Sequence, residues 1–355
     1  MSLDELGIQH KQVAATLVAY IRFHLKERWE VLRVLRELTR LIPAETRAGP
    51  PYLLMQSFSS YTEGREAELG FPVTREVESG RVRSKPAPAL EVLALAHHGP
   101  PESLRETRLK LHDFARQHAL ISDEFTREVY PAWPDPQGPV EVQFVIHNWN
   151  ALLARSLGQV LGAAGQETVM QGAEALGLES GPAERFEWAR GAMQRLDSLA
   201  GEGQKFEVVS RCAHFFPPGL LDRLRQVYAG TRARASDPLE AVDAVLAFME
   251  TDPAWNETEH ERRGRVVFQT KKPADPEAHA AAQTDAERRA AACFCPIIRA
   301  RLDQGMPVTY CYCGAGWFRQ QWEAATGKPV TVEVVQSLLK GDLVCQFATH
   351  LAEEL

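Results

Sequence analysis

The 355-residue sequence lacks three features, and each absence excludes a class of protein. No apolar run approaches the roughly eighteen residues that a bilayer-spanning helix needs, so no transmembrane segment is predicted. The first ten residues, MSLDELGIQH, are acidic and contain no apolar stretch, so no secretory signal is predicted. Positive charge is not in excess, because the formal net charge is −7, and this argues against a surface that grips nucleic acid throughout. We therefore expect a cytoplasmic protein that uses no membrane.

The composition is that of an ordinary globular protein. Apolar residues make up 45% of the chain and charged residues 25%. A length of 355 residues predicts two or three domains, each large enough to bury its own core. Most of the six cysteines come as close pairs late in the chain, and in the cytoplasm they are not expected to form disulfides.

The first 150 residues carry an internal repeat of the order strand, helix, strand, strand. In the first copy these elements are predicted at 12–23, 24–42, 52–58 and 66–73. In the second copy they are predicted at 90–96, 102–118, 125–130 and 140–146. The two helices lie roughly 75 residues apart, which indicates two similar half-domains. We expect an antiparallel sheet with a ligand cleft between the halves.

The rest of the chain predicts a second α+β domain with a helical lead-in. Residues 150–199 are rich in Ala, Leu, Gln and Glu, and further helices are predicted at 218–228 and 238–250. Residues 271–289 contain almost no large apolar side chain and predict a mobile loop or an exposed helix. Strands are predicted at 307–312 and 330–335, on either side of a helix at 317–326.

Several N-terminal segments resemble the GyrI-like family, the effector-binding, SOUL-like ligand-binding domain of AraC-type and MerR-type regulators. They are VAYIR at 18–22, ELGFPV at 68–73, HGPPESL at 98–104, REVYPAWPDP at 127–136 and VEVQF at 140–144. The resemblance covers about 40% of the chain and implies an effector-binding domain over residues 1–149. The chain departs from the family at Pro101, where the family carries a tyrosine, so the pocket could have another shape.

A second resemblance covers residues 184–355, after a helical linker at 150–183. This region is distantly similar to 4-vinyl-reductase-type and L-2-amino-thiazoline-4-carboxylate hydrolase-like proteins. The segments that carry it are CFCP at 293–296, TYCYCGAGW at 309–317, GKPV at 327–330, GD at 341–342 and CQF at 345–347. The resemblance implies a small-molecule-binding, cysteine-rich domain and no particular activity.

Glu128 is the most prominent candidate site residue. The GyrI-like resemblance implies that this acidic side chain lies in the cleft and faces an aromatic or cationic ligand, with aromatic rings that add cation–π attraction. The rings predicted around it are those of Tyr130, Trp133, Tyr52 and Tyr61. Two alternatives stay open. Glu128 could be an exposed residue paired with Arg127, or it could be the general base of a hydrolase, with a pKa raised by desolvation.

Four other polar residues have less specific interpretations. Glu68 and Glu141 occupy matching places in the two copies and are expected to face solvent, with a place in the cleft as the alternative. His97 and His98 stand at a turn between a strand and a helix, with no nucleophile nearby in the sequence. We expect that turn to lie on the surface.

The cysteines form a C-x-C pattern twice. If each pair lies on a strand, both of its thiols project from one face, and two such strands could present four sulfurs to one zinc ion or to an iron–sulfur cluster. Buried thiols that act as small apolar residues, or a redox or nucleophilic use, are the alternatives. The four candidate ligands are Cys293, Cys295, Cys311 and Cys313, with Cys212 and Cys345 in reserve.

These observations favour a protein that binds a small molecule and acts in sensing or sequestration. A hydrolase of a reactive xenobiotic or natural product, with Glu128 as base, is one alternative. An interaction protein that inhibits a macromolecular partner is another. No helix-turn-helix segment is found before the first copy of the repeat, so direct binding of nucleic acid is not expected.

Overall fold

The structure, a computed structural model, describes residues 2–56, 65–135, 137–216 and 219–355. The chain divides into two compact units, Met1–His147 and Asn148–Leu355. Each unit combines helices with an antiparallel sheet, so the predicted α+β fold class is confirmed. Among the described residues, no helix is both long and apolar enough to cross a membrane.

The first unit is an eight-stranded antiparallel sheet with two long helices. Its strands are β1 (Gln9–Val13), β2 (Thr16–Leu25), β3 (Tyr52–Gln56), β4 (Arg65–Val73), β5 (Arg83–Ala87), β6 (Leu90–His97), β7 (Ser122–Val129) and β8 (Val140–Ile146). Its helices are α1 (Leu3–Leu6), α2 (Trp29–Leu41) and α3 (Leu104–Gln117). The order of strands across the sheet is β1-β6-β8-β7-β3-β4-β2-β5. The predicted strand–helix–strand–strand order is present twice, and the edge strands β1 and β5 were not predicted.

The two copies meet at the centre of the sheet, where β3 pairs with β7. Helices α2 and α3 begin 75 positions apart, at Trp29 and Leu104. The same offset relates Leu53 to Glu128, and these two residues lie directly opposite each other in the β3–β7 register. This pair therefore marks the axis that relates the two halves.

Helix α2 shows how the sequence builds one half. Val31, Val34, Leu35 and Leu38 recur at helical spacing and are fully buried, whereas charged residues occupy the opposite side. They pack on alternate residues of β2 and β4, including Ile21. Burial of each such side chain contributes about 1.5–3 kcal/mol, so this face holds the helix on the sheet.

The second unit contains eight helices and a four-stranded antiparallel sheet within the described residues. The helices are α4 (Trp149–Met170), α5 (Pro182–Leu199), α6 (Glu202–Ser210), α7 (Leu220–Arg232), α8 (Pro238–Thr251), α9 (Pro276–Ala281), α10 (Asp285–Ala292) and α11 (Tyr312–Thr326). The strands are β9 (Thr258–Arg263), β10 (Val266–Lys271), β11 (Thr331–Gln336) and β12 (Gln346–His350), in the order β11-β12-β10-β9. Helix α11 packs on β11 and β12 with Phe318 and Trp322 fully buried.

The strand predicted at 307–312 is wrong. Residues Val308–Cys311 form a 3-10 helix that leads directly into α11. The aromatic and β-branched residues there favour a strand locally, but burial of Tyr310 in a helical turn prevails. Gly314 and Gly316 lie inside α11, and Gly316 is where that helix approaches α6.

Candidate functional site

Glu128 lies at the middle of the sheet, on the face that carries both long helices. Its β3 partner is Leu53 and its β8 partner is Val142. Leu53 belongs to the core beneath α2. On β8, Phe144 lies two residues after Val142 on the same face, and its ring contacts the ring of His112 of α3. The carboxylate of Glu128 is fully buried between the two halves. The prediction of an exposed carboxylate paired with Arg127 is therefore wrong.

Both oxygens of the Glu128 carboxylate are held by side chains from the two halves. Arg28, just before α2, places Nη1 2.5 Å from Oε2. Arg108, on α3, donates from Nη2 to Oε1. The Tyr130 hydroxyl donates to Oε2 at 2.9 Å and accepts from Arg28 Nη2 at 3.0 Å. We call these four residues the Glu128 cluster.

The electrostatics of the cluster hold the Glu128 carboxylate in its charged form. Burial alone would raise the pKa of Glu128, but the guanidinium groups of Arg28 and Arg108 outweigh burial and place it below its ordinary value. Burial, followed by the nearby Glu128 charge, raises the pKa of Tyr130 well above its usual range. At neutral pH the cluster therefore contains a carboxylate, two guanidinium groups and a neutral phenol.

The side chains of Arg28, Arg108 and Tyr130 are the parts of the cluster that are partly exposed. The side chain of Arg28 is 31% exposed and that of Arg108 15%, whereas Glu128 is 0% exposed. A molecule that approaches the cluster from solvent therefore meets the two arginine side chains and Tyr130 before the carboxylate.

The predicted aromatic set is only partly brought together. Tyr130 belongs to the cluster. Trp133 packs against the core beneath α2, and its indole N–H donates to the hydroxyl oxygen of Thr39 at 2.9 Å. Tyr52 precedes Leu53 by one residue and therefore lies on the opposite face of the sheet. There the guanidinium carbon of Arg127 lies 4.2 Å from the centre of the Tyr52 ring. The predicted contact between Tyr52 and Glu128 is therefore wrong. Tyr61 lies outside the described residues.

The face of the sheet opposite the helices carries a second polar network. Glu68 is 6% exposed and binds Arg22 at 2.7 Å and Lys85, so the prediction that it faces solvent is wrong. Glu141 is half-buried and accepts from Lys11 at 2.6 Å. These carboxylates are neutralised within the sheet, which is why they tolerate burial.

His97 is also more buried than predicted. It is 8% exposed, with Nδ1 2.8 Å from the Thr107 hydroxyl and Nε2 3.1 Å from the Pro100 carbonyl oxygen. It fastens the end of β6 to the start of α3, whereas His98 is exposed as expected. Both contacts are structural, and His97 has no place in the Glu128 cluster.

The six cysteines lie in the second unit and all are free thiols. Cys313, on α11, donates to the Cys212 carbonyl oxygen at 3.3 Å, and the sulfur of Cys311 lies 3.1 Å from the Ser337 hydroxyl oxygen. Cys293 and Cys295 follow α10 in a loop. Burial raises the pKa of Cys311 and, to about 12, that of Cys313, so both remain protonated at neutral pH.

The proposed metal ligands do not fit one ion as the structure places them. Residues two apart on a helix point about 200° apart, so Cys311 and Cys313 diverge where a strand would have aligned them. In the described parts of the chain, no three His, Cys, Asp or Glu side chains are arranged to hold a metal. Zinc or an iron–sulfur cluster at Cys293, Cys295, Cys311 and Cys313 stays a prediction that this geometry does not favour.

Arg28 and Arg108 were missed in the sequence, although a signal was present for Arg108. Leu104, Thr107, Leu111 and Phe114 form the buried stripe of α3, and position 108 falls within it at i+4 from Leu104. A charged residue inside an apolar stripe needs a buried counter-charge, and Glu128 supplies it. No comparable pattern marks Arg28, which precedes its helix.

Comparison with known proteins gives fold-level likenesses only. No protein-family model matches the chain, and no curated protein matches it in sequence. The solved C-terminal domain of EcmrR is 18% identical, with 39% of this chain and 96% of that chain covered at a TM-score of 0.34. SAV2435 bound to tetraphenylphosphonium is 11% identical over 41% of this chain and 96% of that one, with a TM-score of 0.31. A hydrolase from Listeria innocua is 10% identical, with 39% of this chain and 90% of that chain covered at a TM-score of 0.30. At these TM-scores, the likenesses assign no activity to this chain.

Proposed function

We propose that the first unit binds a small organic molecule at the Glu128 cluster, and that the group recognised there is an anion. The observation that carries the proposal is the arrangement of charge. The carboxylate is fully buried and held by two guanidinium groups, and the arginine side chains that carry them are 31% and 15% exposed. Arginine binds carboxylate and sulfonate groups through parallel N–H donors, which suits an anionic ligand.

A cationic ligand, which the sequence favoured, is disfavoured by the same contacts. It would have to displace Arg28 or Arg108 from Glu128, so it would gain only the difference between its own ion pair and the one it replaces. The contacts therefore favour an anionic ligand, which binds the arginines, over a cationic ligand, which competes with the arginines for the Glu128 carboxylate.

Aromatic groups near Arg28 favour an aromatic framework for the ligand. The Tyr130 ring lies 6.0 Å from the Arg28 guanidinium carbon. Trp29, the next residue along the chain, is 60% exposed, and its ring centre lies 5.7 Å from the guanidinium carbon of Arg33. Rings beside a guanidinium group support stacking of a flat aromatic acid. Sensing or sequestration by such binding remains the role we propose.

The hydrolase alternative lacks support from the cluster. A general base at neutral pH needs a raised pKa and a free oxygen directed at water. The guanidinium groups hold the pKa of Glu128 low, and both of its oxygens accept hydrogen bonds within the cluster. Inhibition of a macromolecular partner stays a prediction.

Two probes of the same shape and opposite charge test the proposal. Tetraphenylborate and tetraphenylphosphonium are titrated calorimetrically into the full-length protein. We expect the anion to bind at least about tenfold more tightly, which corresponds to about 1.4 kcal/mol. Preferential binding of the phosphonium would overturn the anion assignment, and binding of neither probe would overturn the site itself.

Variants then locate the binding. Arg28→Met should weaken tetraphenylborate at least about fivefold, whereas Arg36→Met, an exposed position on the same helix, should not change it. Glu128→Gln removes the negative charge that competes with an anionic ligand for Arg28 and Arg108. This variant should bind the anion as tightly as the wild type or more tightly. A site that recognises cations would instead lose its ligand in Glu128→Gln, so the two assignments give opposite results.

A further inference from the structure

Arg127 is a buried cation on the face of the sheet opposite the helices. It precedes Glu128 by one residue on β7, so strand alternation directs the two side chains to opposite faces. Arg127 is only 6% exposed. Arginine is almost never buried to this extent unless an acidic partner accompanies it. Its surroundings therefore decide what this residue does.

The described neighbours of the Arg127 guanidinium group are neutral. Its Nη1 donates to Oε1 of Gln143 at 2.6 Å, and its central carbon lies 4.2 Å from the centre of the Tyr52 ring. Within the part of the chain that the structure describes, no carboxylate forms an ion pair with it. A guanidinium group has five N–H donors, so one amide oxygen leaves capacity for a further acceptor.

The carboxylate of Glu68 is already occupied by other cations. It binds Arg22 at 2.7 Å and also binds Lys85. In the strand register, Glu68 and Arg127 stand on either side of Leu54, so their Cα atoms are two strands, or about 10 Å, apart. Glu68 therefore does not neutralise Arg127 directly.

The carboxylate of Glu141 is separated from Arg127 by an amide. Nε2 of Gln143 donates to Oε1 of Glu141 at 2.6 Å, while Oε1 of the same amide accepts from Arg127. The other oxygen of Glu141 accepts from the ammonium of Lys11 at 2.6 Å. The partner that this carboxylate contacts directly is thus Lys11, which is partly exposed at the rim of the network.

Positive charge is in excess on this face. The second polar network contains four cations and two carboxylates, so two positive charges are left over. Burial lowers the pKa of Arg127 although Tyr52 and Glu141 act in the opposite direction. Arginine stays protonated even so, and its charge is therefore present and only partly compensated.

We propose that Arg127 forms the floor of a second ligand site, which binds a small molecule through a dianionic oxyanion of the phosphate type. Two negative charges match the excess on this face, and the planar donors of arginine bind phosphate oxygens in pairs. The long side chains of Lys11, Arg22 and Lys85 are partly exposed and give an approach from solvent. This site is separate from the Glu128 cluster, which lies on the other face, and it does not rest on the function proposed for that cluster.

Calorimetric titration of the full-length protein tests the charge and the source of the anion. The probes are inorganic phosphate, phenyl phosphate and benzoate at constant ionic strength and at about pH 8, where both phosphates are dianions. We expect both to bind at least about tenfold more tightly than benzoate, which is a monoanion. Tighter binding of phenyl phosphate than of phosphate would identify a phosphate ester that uses the Tyr52 ring, and any other order of these two would identify the free anion.

Variants then locate the binding. Arg127→Met should weaken phosphate at least about tenfold, because it removes the donors on the floor of the site. Arg83→Met, an exposed arginine of β5, removes one positive charge from the same sheet and should change the affinity by less than about twofold. Arg28→Met in the Glu128 cluster should also leave phosphate binding unchanged, so failure of one site does not imply failure of the other. Gln143→Glu places a carboxylate beside Arg127 and should weaken phosphate as well, which keeps the test open if Arg127→Met does not fold.

Urea denaturation gives a second readout. Without phosphate, Arg127→Met should unfold at the same urea concentration as the wild type or at a higher one, because it removes a buried charge that lacks a direct counter-charge. Phosphate should raise the midpoint of the wild type and leave that of Arg127→Met unchanged, since a ligand stabilises only the protein that binds it.

Three outcomes would overturn the proposal. One is a wild type that binds neither phosphate nor phenyl phosphate, with a lowered midpoint of Arg127→Met then assigning the arginine a purely structural role. Another is phosphate binding that persists unchanged in both Arg127→Met and Gln143→Glu. The third is binding of benzoate at least as tight as that of phosphate, which would exclude a dianion site.

Discussion

At the scale of single residues, the candidate site depends on which side chains share a face of the sheet with Glu128. Glu128 and Tyr130 are two apart on one chain, so their shared face followed from strand periodicity alone. Tyr52 belongs to another strand, and its face depends on the register between β3 and β7, which the sequence does not reveal. Of the two arginines of the site, Arg108 was marked by its place in the apolar stripe of α3, whereas Arg28 precedes its helix and carries no such pattern.

His260 gives a residue-scale prediction for pH. It lies on β9 with Nδ1 buried and, among the described residues, without a hydrogen-bond partner. Burial, aided by Lys272, lowers its pKa from 6.5 to about 4. Between those values the unfolded chain binds a proton that the folded one does not, so stability falls as the pH drops from 7 to 5. We expect a loss of about 2 kcal/mol in the free energy of unfolding from this residue.

Urea denaturation at pH 7 and pH 5 measures this loss. His260→Gln should lose about 2 kcal/mol less than the wild type over that interval, because its side chain does not titrate. His279→Gln, on the short surface helix α9, should behave like the wild type. If His260→Gln keeps the full pH dependence, the buried imidazole is not its source.

At the scale of elements, the helices were predictable because their apolar residues recur with a clear period. The stripe of α2 and the N-terminal proline of α8 both mark helices that the structure contains. The segment that holds Cys311 is short and apolar, and such runs do not distinguish a strand from a buried helix. The alignment predicted for the thiols of Cys311 and Cys313, on which the metal prediction relied, depended on that assignment.

The contact between α6 and α11 gives an element-scale prediction. A Cβ at Gly316 would lie 1.9 Å from the Ser210 carbonyl oxygen, a backbone atom that cannot move aside. Gly316→Ala should therefore lower the free energy of unfolding by about 3 kcal/mol, or prevent folding. Gly203→Ala, on α6 with open space around it, should be neutral or stabilise by up to about 1 kcal/mol. Thermal unfolding of both variants checks this, and equal stability would show that the helices can separate without cost.

At the scale of the whole molecule, the chain forms two units that each possess a sheet and a core. We expect fragments 1–147 and 148–355 to fold separately, since a unit with its own core can do so. Each should show near-ultraviolet circular dichroism and a cooperative unfolding transition. A fragment that is soluble but lacks a cooperative transition would show that its core needs the rest of the chain.

The pairing of Leu53 with Glu128 on the axis between the halves has a consequence for how such a site could arise. A symmetric dimer of one half would repeat every residue, so its two-fold axis would carry two carboxylates or none. Two buried carboxylates facing each other would repel, and two leucines would bind no arginine. Only after gene duplication and fusion can one copy mutate alone and leave a single charge on the axis. A single chain that contains both halves can therefore place one carboxylate on this axis, which a symmetric dimer of one half cannot do.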